Sequence, residues 1–355
     1  MSKMSWLRKE DHEAEGNLVD RINDWHLLPR KSFEVMDTER KIPLTAKPEV
    51  KEFASQFLKN LGIDPTIDDE VTGWERFWAQ EKAAAMTVIA QGGNYLSYLA
   101  GRSLHYELMA HEIASSFEGN GHNGIKDKKI AEFGAGSHLG LMFLAKQNAQ
   151  VTGLDRSIMA GEFGKYLADH YKVAGRVKIV RGDYFKTQFD DGEFDFVYSS
   201  GVAEHEDSNN IKELLKEMNR VTKREGYILI AVPNEESPFY KGFKRKQVET
   251  EKKYPDIIGI PVEHKRYRHD LKKLMELFRL VVVKEDGLQI APSSPIKHGD
   301  ISAEDTSLFD SYLPHHKPSG IEDIVGIWTR LELNAGQVIR SRYGWSRYAV
   351  GQKKA

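Results

Sequence analysis

The chain contains no cysteine. Disulfides, thiolate metal sites and cysteine nucleophiles are therefore excluded together. It has no excess of either charge: 51 Lys and Arg stand against 53 Asp and Glu, for a net charge of −2. A general nucleic-acid binder carries a basic excess over its domain, so this balance argues against nucleic acid as a partner, although a local basic patch is still compatible with it. No run approaches the roughly 18 uninterrupted apolar residues of a membrane span. The opening stretch, MSKMSWLRKEDHEAEGNLVDR, is charged throughout and has no apolar core like that of a signal peptide. These absences lead to the expectation of a cytoplasmic protein with no membrane span. The rest of the composition is that of an ordinary globular protein, 40% hydrophobic and 29% charged over 355 residues. That length suits one large core or two modest domains.

Residues 1 to about 50 are polar and mixed, with Pro29, Pro43 and Pro48 interrupting any long helix. Trp6, Trp25, Leu27, Leu28 and Phe33 make this stretch too apolar for a plain tail, and it reads as an arm that packs on something. Helical spacing follows from Pro48 to Gly62, where Gly62 suits a C-cap, then from Gly73 to Gln91 and from Leu96 to Phe117. After the turn-rich EGNGHNGIKDKK the pattern changes to strands alternating with helices. Strands are expected at Lys129–Phe133, Gln150–Leu154, Val177–Arg181, Phe194–Ser199, Tyr227–Val232, Leu280–Lys284 and Arg347–Gln352. Alternation at this spacing predicts βαβ units, a mostly parallel seven-stranded sheet and helices on both faces. The expected organisation is a helical N-terminal lid over 1–117 and a Rossmann-like α/β domain over 118–290 and 341–355. An insertion over 291–340, with an amphipathic segment Ile321–Leu333, is expected to form part of a substrate wall.

The densest signal is KKIAEFGAGSHLGLMFLAKQNAQVTGLDRS, residues 128–157. A strand runs into Glu132, then Gly134, Ala135 and Gly136, then an apolar helix, then a second strand ending at Asp155 and Arg156. Glycines let the chain turn sharply and let a ligand approach it, and a helix start offers free N–H groups. An acid about 20 residues on can accept from both hydroxyls of a ribose. A carboxylate at Glu132 would repel a pyrophosphate but suits a ligand with a cationic amino-acid end.

On these residues the chain resembles the class I S-adenosylmethionine-dependent methyltransferase family, whose first motif is Glu/Asp-x-Gly-x-Gly-x-Gly with a second acid closing the next strand. His138 stands at the third-glycine position, a departure, with Gly140 nearby. The resemblance continues through RGDYF, where Gly182, Asp183 and Tyr184 correspond to the adenine-binding segment. It extends to YSSGVAEHED, where Ser199, Ser200 and the Glu204–His205 pair border the cofactor. It implies S-adenosyl-L-methionine as cofactor and methyl transfer as the reaction, and it covers roughly residues 125–290 and the last dozen.

Each residue also has a plainer reading. Glu132 can cap a turn, Asp155 can serve the helix beginning at Ser157, Gly-Asp at 182–183 is a common turn pair, and Ser199 and Ser200 can simply end a strand. His205 can take a proton near neutral pH, or it can be an exposed histidine between Glu204 and Glu206. Glu204, Asn234, His264 and Arg266 are the substrate-side candidates. The basic run KGFKRK at 241–246 is either a solvated face or a receiver of an acidic small-molecule substrate. Trp74, Phe77, Trp78, Tyr95 and Tyr98 are either core or the lining of a cation site. His315 and His316 lack the partners of a metal site, and no metal is expected.

The favoured activity is methyl transfer to a metabolite or lipid-like acceptor. Transfer or cyclisation of the aminocarboxypropyl chain, and a non-catalytic cofactor-binding subunit, remain as alternatives. RNA modification is disfavoured by the neutral charge. No Asn/Asp-Pro-Pro-aromatic signature follows Phe194, so methylation of DNA-base amino groups is not suggested.

Overall fold

The computed structural model describes residues 47–64, 66, 70–90, 100–118, 124–237, 240, 241, 244, 248, 252, 271–289, 332 and 335–354. The expectations for the arm before residue 47, for Tyr95 and Tyr98, and for almost all of 291–340, including His315 and His316, lie outside these residues. Three helices come first: α1 (Pro48–Asn60), α2 (Glu70–Ala90) and α3 (Ala100–Glu118). The α/β part follows as β1 (Lys129–Phe133), α4 (Leu139–Lys146), β2 (Gln150–Asp155), α5 (Ile158–His170), β3 (Val177–Arg181), β4 (Phe194–Ser200), α6 (Ser208–Val221) and β5 (Thr222–Pro233). It closes with α7 (Leu271–Leu277), β6 (Leu280–Leu288), α8 (Gln337–Tyr343) and β7 (Ser346–Lys353).

The strands form one sheet in the order β3-β2-β1-β4-β5-β7-β6. β1 to β5 are parallel to one another, and β7 runs antiparallel between β5 and β6. The order reverses between β1 and β4, the switch point beyond which open α/β sheets take their ligands. The central strands are mainly apolar because both faces are covered. Ile130, Phe196, Tyr198 and Leu229 pack into one core. Ala131, Val197, Ile228 and Ile230, one residue out of phase, pack into the other.

The second core is filled by α6, whose Ile211, Leu214, Leu215, Met218 and Val221 recur at helical spacing, together with Leu271 and Met275 of α7. Asp207 caps α6, accepting from Asn209 N and Asn210 N. The first core takes α3 through Leu108, Met109, Ile113 and Phe117. The last helix before residue 118 is thus part of the sheet's own core. A third cluster joins α1 and α2 to α4 and α5, with Ala79, Ala83, Ala84 and Ala85 of α2 meeting Leu139, Met142, Phe163 and Leu167. The small alanines let α2 lie close to these helices, which places it beside the carboxyl ends of β1 and β2.

The candidate active site at the sheet switch point

The turn after β1 is built by backbone hydrogen bonds to β2: Gly134 N and Ala135 N both donate to Leu154 O, at 2.8 and 3.0 Å. Gly134 and Gly136 have φ of +72° and +50°, a region in which a side chain is strained. Space also requires glycine there. A Cβ on Gly134 would lie 2.2 Å from Val202 Cγ2, and one on Gly136 2.4 Å from a ring carbon of Trp78.

His138, the departure from the glycine motif, takes a left-handed φ of +60° and is fully buried. Its ring does not enter the turn. It lies in a slot left by two further glycines, where a Cβ on Gly153 of β2 would come within 2.2 Å of Cδ2 and one on Gly164 of α5 within 2.7 Å of Cγ. Nδ1 donates to Gly136 O at 2.7 Å, and burial holds the ring neutral by pushing its pKa down. The imidazole therefore clamps β2, α5 and the glycine turn together from behind. The motif pattern does not single out Gly153 and Gly164. A glycine inside a strand and another inside a helix, flanking an unexpected histidine, is the signal that could have found them.

Asp155 ends β2 with both carboxylate oxygens facing the turn. Oδ2 accepts from Gly136 N at 2.8 Å and Oδ1 from Ser157 N at 2.9 Å. Ser157 in turn caps α5 by accepting from Ala160 N. The two readings of Asp155 thus coincide: it organises the helix start and still has lone pairs for a diol, since an ionised carboxylate has about four acceptor positions.

Glu132 is 2% exposed, and Tyr198 donates its hydroxyl hydrogen to Oε2 at 2.9 Å. It forms no ion pair among the described residues. Burial pushes its pKa up to about 8, the Tyr198 hydrogen bond opposing and the nearby Asp155 charge adding. A buried carboxylate in this state is suited to a ligand that brings its own cation.

The remaining predicted residues follow along the same strand edge. Gly182 N donates to Asp155 O at 3.0 Å. Asp183 is exposed and accepts from Phe185 N, which shapes the turn after β3. Tyr184 is buried and donates to Glu206, while Arg156 donates to the Tyr184 oxygen at 2.7 Å and pairs with Glu206 at 3.5 Å. Asn210 of α6 completes this chain by donating to Glu206 at 2.9 Å. It ties together the ends of β2, β3 and β4. Ser199 donates to Phe133 O at 3.0 Å, fastening β4 to β1. Ser200 Oγ lies 3.3 Å from Nε2 of His105, a residue of α3 outside every motif in the sequence. Glu204 and His205 lie in a 3-10 turn, with Glu204 buried and His205 edge-on to Trp74, ring centroids 5.3 Å apart.

One substrate-side candidate, Asn234, serves a different contact. Asn234, at the end of β5, donates through Nδ2 to Ser341 O and Gly344 O, and its backbone N donates to Trp345 O. Its side chain joins β5 to the segment before β7, two strands from the switch point. His264 and Arg266 are outside the described residues, as is most of the 241–246 run.

The helix α2 covers the edge. Trp78 rests on Gly136, Trp74 stacks near Trp78 at 6.4 Å and meets His205, and Phe77 is buried beside them. Glu75 anchors α2 to the start of α5: Oε1 accepts from Ile158 N, and Oε2 accepts from Met159 N and Ser157 Oγ, all at 2.8 Å. An acid at a helix N-terminus also meets the favourable end of the helix dipole. Glu75→Ala strands one buried and one half-buried N–H group, so it is expected to lower unfolding free energy by about 2–3 kcal/mol, measured by urea denaturation. A loss below ~0.5 kcal/mol would mean that α2 is not held by this contact.

Among the described residues there is no group of three or more His, Asp or Glu able to hold a metal, and no helix long and apolar enough to cross a membrane.

Residues 131–230, from β1 to β5, match the family described as Methyltransferase domain. A comparison with curated proteins gave no significant match. Among solved structures, the chain is similar to a complex between the Haloferax volcanii Trm112 methyltransferase activator and a methyltransferase. Identity there is 17%, with 73% of this chain and 94% of that one covered and a TM-score of 0.43. It is also similar to Haemonchus contortus phosphoethanolamine N-methyltransferase 2 in complex with S-adenosyl-L-methionine, at 15% identity, covering 69% and 53%, TM-score 0.42. A third is geranyl diphosphate C-methyltransferase from Streptomyces coelicolor, at 14% identity, covering 70% and 77%, TM-score 0.39. With the strand order and the glycine turn between β1 and α4, the matched segment is a class I S-adenosylmethionine-dependent methyltransferase domain.

Proposed function

We propose that the enzyme methylates a small-molecule acceptor at a strand edge covered by its own N-terminal helices. The observation that carries this reading is the placement of α2, with Trp78 on Gly136, Trp74 on His205 and Glu75 bound to the start of α5. A surface already covered in this way has little room for a polymer, whereas a small acceptor can be enclosed with water excluded. The neutral overall charge supports the same reading.

In this reading Asp155 holds the ribose hydroxyls, and Asp183 with the segment at Gly182 and Tyr184 holds the adenine. Glu132, with the turn at Gly134, Ala135 and Gly136, receives the cationic amino-acid end. Arg156 and Tyr184, bridged through Glu206, close the nucleoside side, and Ser199 and Ser200 border the reacting end. Bound S-adenosylmethionine supplies an electrophilic methyl on a sulfonium. The protein's part is to hold a nucleophile in line at near-attack distance. The ring of His138 fills the Gly153–Gly164 slot and bonds only the backbone of the turn, at Gly136 O, so this departure from the glycine motif lends no support to the aminocarboxypropyl alternative.

The test is the fate of labelled methyl. When the protein and methyl-labelled S-adenosylmethionine are incubated with a cell extract, label is expected in the fraction that passes ultrafiltration, with S-adenosylhomocysteine as co-product. Label retained only in protein or nucleic acid would overturn the small-acceptor reading, and methylthioadenosine as co-product would overturn methyl transfer.

A further inference from the structure

The amino ends of β1, β2 and β3, at the edge opposite the glycine turn, frame a concavity of about 440 Å³, a size that suits a small molecule. Its origin lies in the β3–β4 connection. Residues 182–193 join two parallel strands without a helix, where such a crossover usually carries one. Phe189 of this connection packs against Phe133 and Phe194, and the sheet is left open nearer the strand starts. The register sets Lys129 of β1 beside Gln150 of β2, and Thr152 of β2 beside Lys178 of β3, and all four line the concavity. Lys129 and Lys178 flank β2, two strand spacings or roughly 10 Å apart, so their long side chains can converge over it.

Three cations, Lys129, Arg176 and Lys178, line the space against one carboxylate, Glu193. Arg176 is engaged, donating to Asn148 O at 2.9 Å and reaching Asp127 at 3.5 Å, and Glu193 accepts from Asp190 N at 3.1 Å. Asp195, nearby, accepts from Lys129 N and pairs with Lys223. The ammonium groups of Lys129 and Lys178 have no ion pair or hydrogen bond among the described residues. Thr152, on the strand between them, is 8% exposed, and its hydroxyl likewise has no partner there. Two exposed lysines alone make a solvated face. An enclosed hydroxyl left unbonded between them costs free energy unless something binds it.

We propose that this concavity is a second, non-catalytic site that binds the phosphate group of a small phosphorylated molecule, its oxygens accepting from Lys129, Lys178 and the Thr152 hydroxyl. A phosphate monoester carries close to two negative charges at pH 7 and three strong acceptor oxygens. Two ammonium groups and one hydroxyl match that charge and that number, and a carboxylate supplies only half the charge. Gln150, at the rim, is available to the organic part of the ligand. The proposal does not depend on the identity of the methyl acceptor. The site opens at the strands' amino ends and the cofactor is placed at their carboxyl ends, so the two are filled independently.

The test is calorimetric titration of the full chain with inorganic phosphate at constant ionic strength, with and without saturating S-adenosylhomocysteine. Wild type is expected to bind one phosphate with a dissociation constant of about 1 mM or tighter, unchanged by S-adenosylhomocysteine. The double variant Lys129→Gln/Lys178→Gln should bind it at least about tenfold more weakly. Thr152→Val, which keeps the shape and removes the hydroxyl, should weaken it about fivefold or more. All variants should bind S-adenosylhomocysteine within about threefold of wild type, which shows that they are folded and that the cofactor edge is untouched. Absence of saturable phosphate binding overturns the proposal, as does equal phosphate affinity in the double variant. Competition between phosphate and S-adenosylhomocysteine would assign the anion to the carboxyl edge and overturn it too.

Discussion

Glu132→Gln is expected to make the cofactor-free protein more stable at pH 8 and a poorer binder of S-adenosylmethionine. The folded protein holds a proton on Glu132 up to about pH 8, whereas the unfolded chain releases it near the ordinary value of 4.5. Between those limits the unfolded state binds fewer protons, so stability falls as pH rises through the window. Each tenfold difference in proton affinity between the two states is worth about 1.4 kcal/mol, so the whole interval from 4.5 to about 8 is on the order of 5 kcal/mol. Glutamine keeps an oxygen for the Tyr198 hydroxyl and has no proton to lose. The variant's urea midpoint should therefore lack the wild-type decline attributable to this group between about pH 5 and pH 8. The same substitution removes the carboxylate proposed to meet the cofactor's ammonium, so affinity should fall tenfold or more, about 1.4 kcal/mol. A variant as sensitive to pH as wild type would show that Glu132 is ionised in the free protein.

The second large effect is expected at Gly153. An alanine there would place its Cβ 2.2 Å from His138 Cδ2 and 2.7 Å from Leu141 Cδ1. Those atoms lie inside a core of packed side chains, with no flexible end to swing away. Overpacking of this kind costs typically 1–3 kcal/mol, and this position should reach about 3 kcal/mol or beyond. His138→Gly relieves the left-handed backbone and vacates the slot, but it loses the ring's packing and its bond to Gly136 O. Combined with Gly153→Ala, it makes room for the new methyl. The double variant should be more stable than the sum of the single effects by at least about 1 kcal/mol, read from urea denaturation. Strict additivity would mean that the ring does not occupy the slot.

These two positions mark the boundary of what the sequence alone could convey. The strands were legible because each central one is an apolar run with a turn at each end, and β1 to β4 begin where the pattern placed them. The motif residues Glu132, Gly134, Gly136, Asp155 and Asp183 were legible because they are local: short spacings at the ends of adjacent parallel strands bring them to one edge. β5 begins earlier than expected, at Thr222, because that residue pairs with Phe194 ahead of a register shift, which periodicity does not encode.

What could not be read were contacts between distant segments. Trp78 on Gly136 and Glu75 at the start of α5 depend on how α2 crosses the sheet edge. His105 beside Ser200 depends on which side of α3 meets β4. The direction of His138 depended on two missing side chains, at Gly153 and Gly164, on different elements. Asn234 sits at a strand end like Glu132 and Asp155, and only the pairing of β5 with β7 showed its amide serving the Ser341–Trp345 segment.

The most direct test of cofactor placement is calorimetric titration of the full chain with S-adenosylmethionine and S-adenosylhomocysteine, comparing wild type with Asp155→Ala. The expected result is micromolar binding of both compounds, weakened at least tenfold by the substitution, or about 1.4 kcal/mol and beyond. No heat of binding from either compound, or equal affinity in the variant, would contradict the placement of the cofactor at the β1–β2 edge.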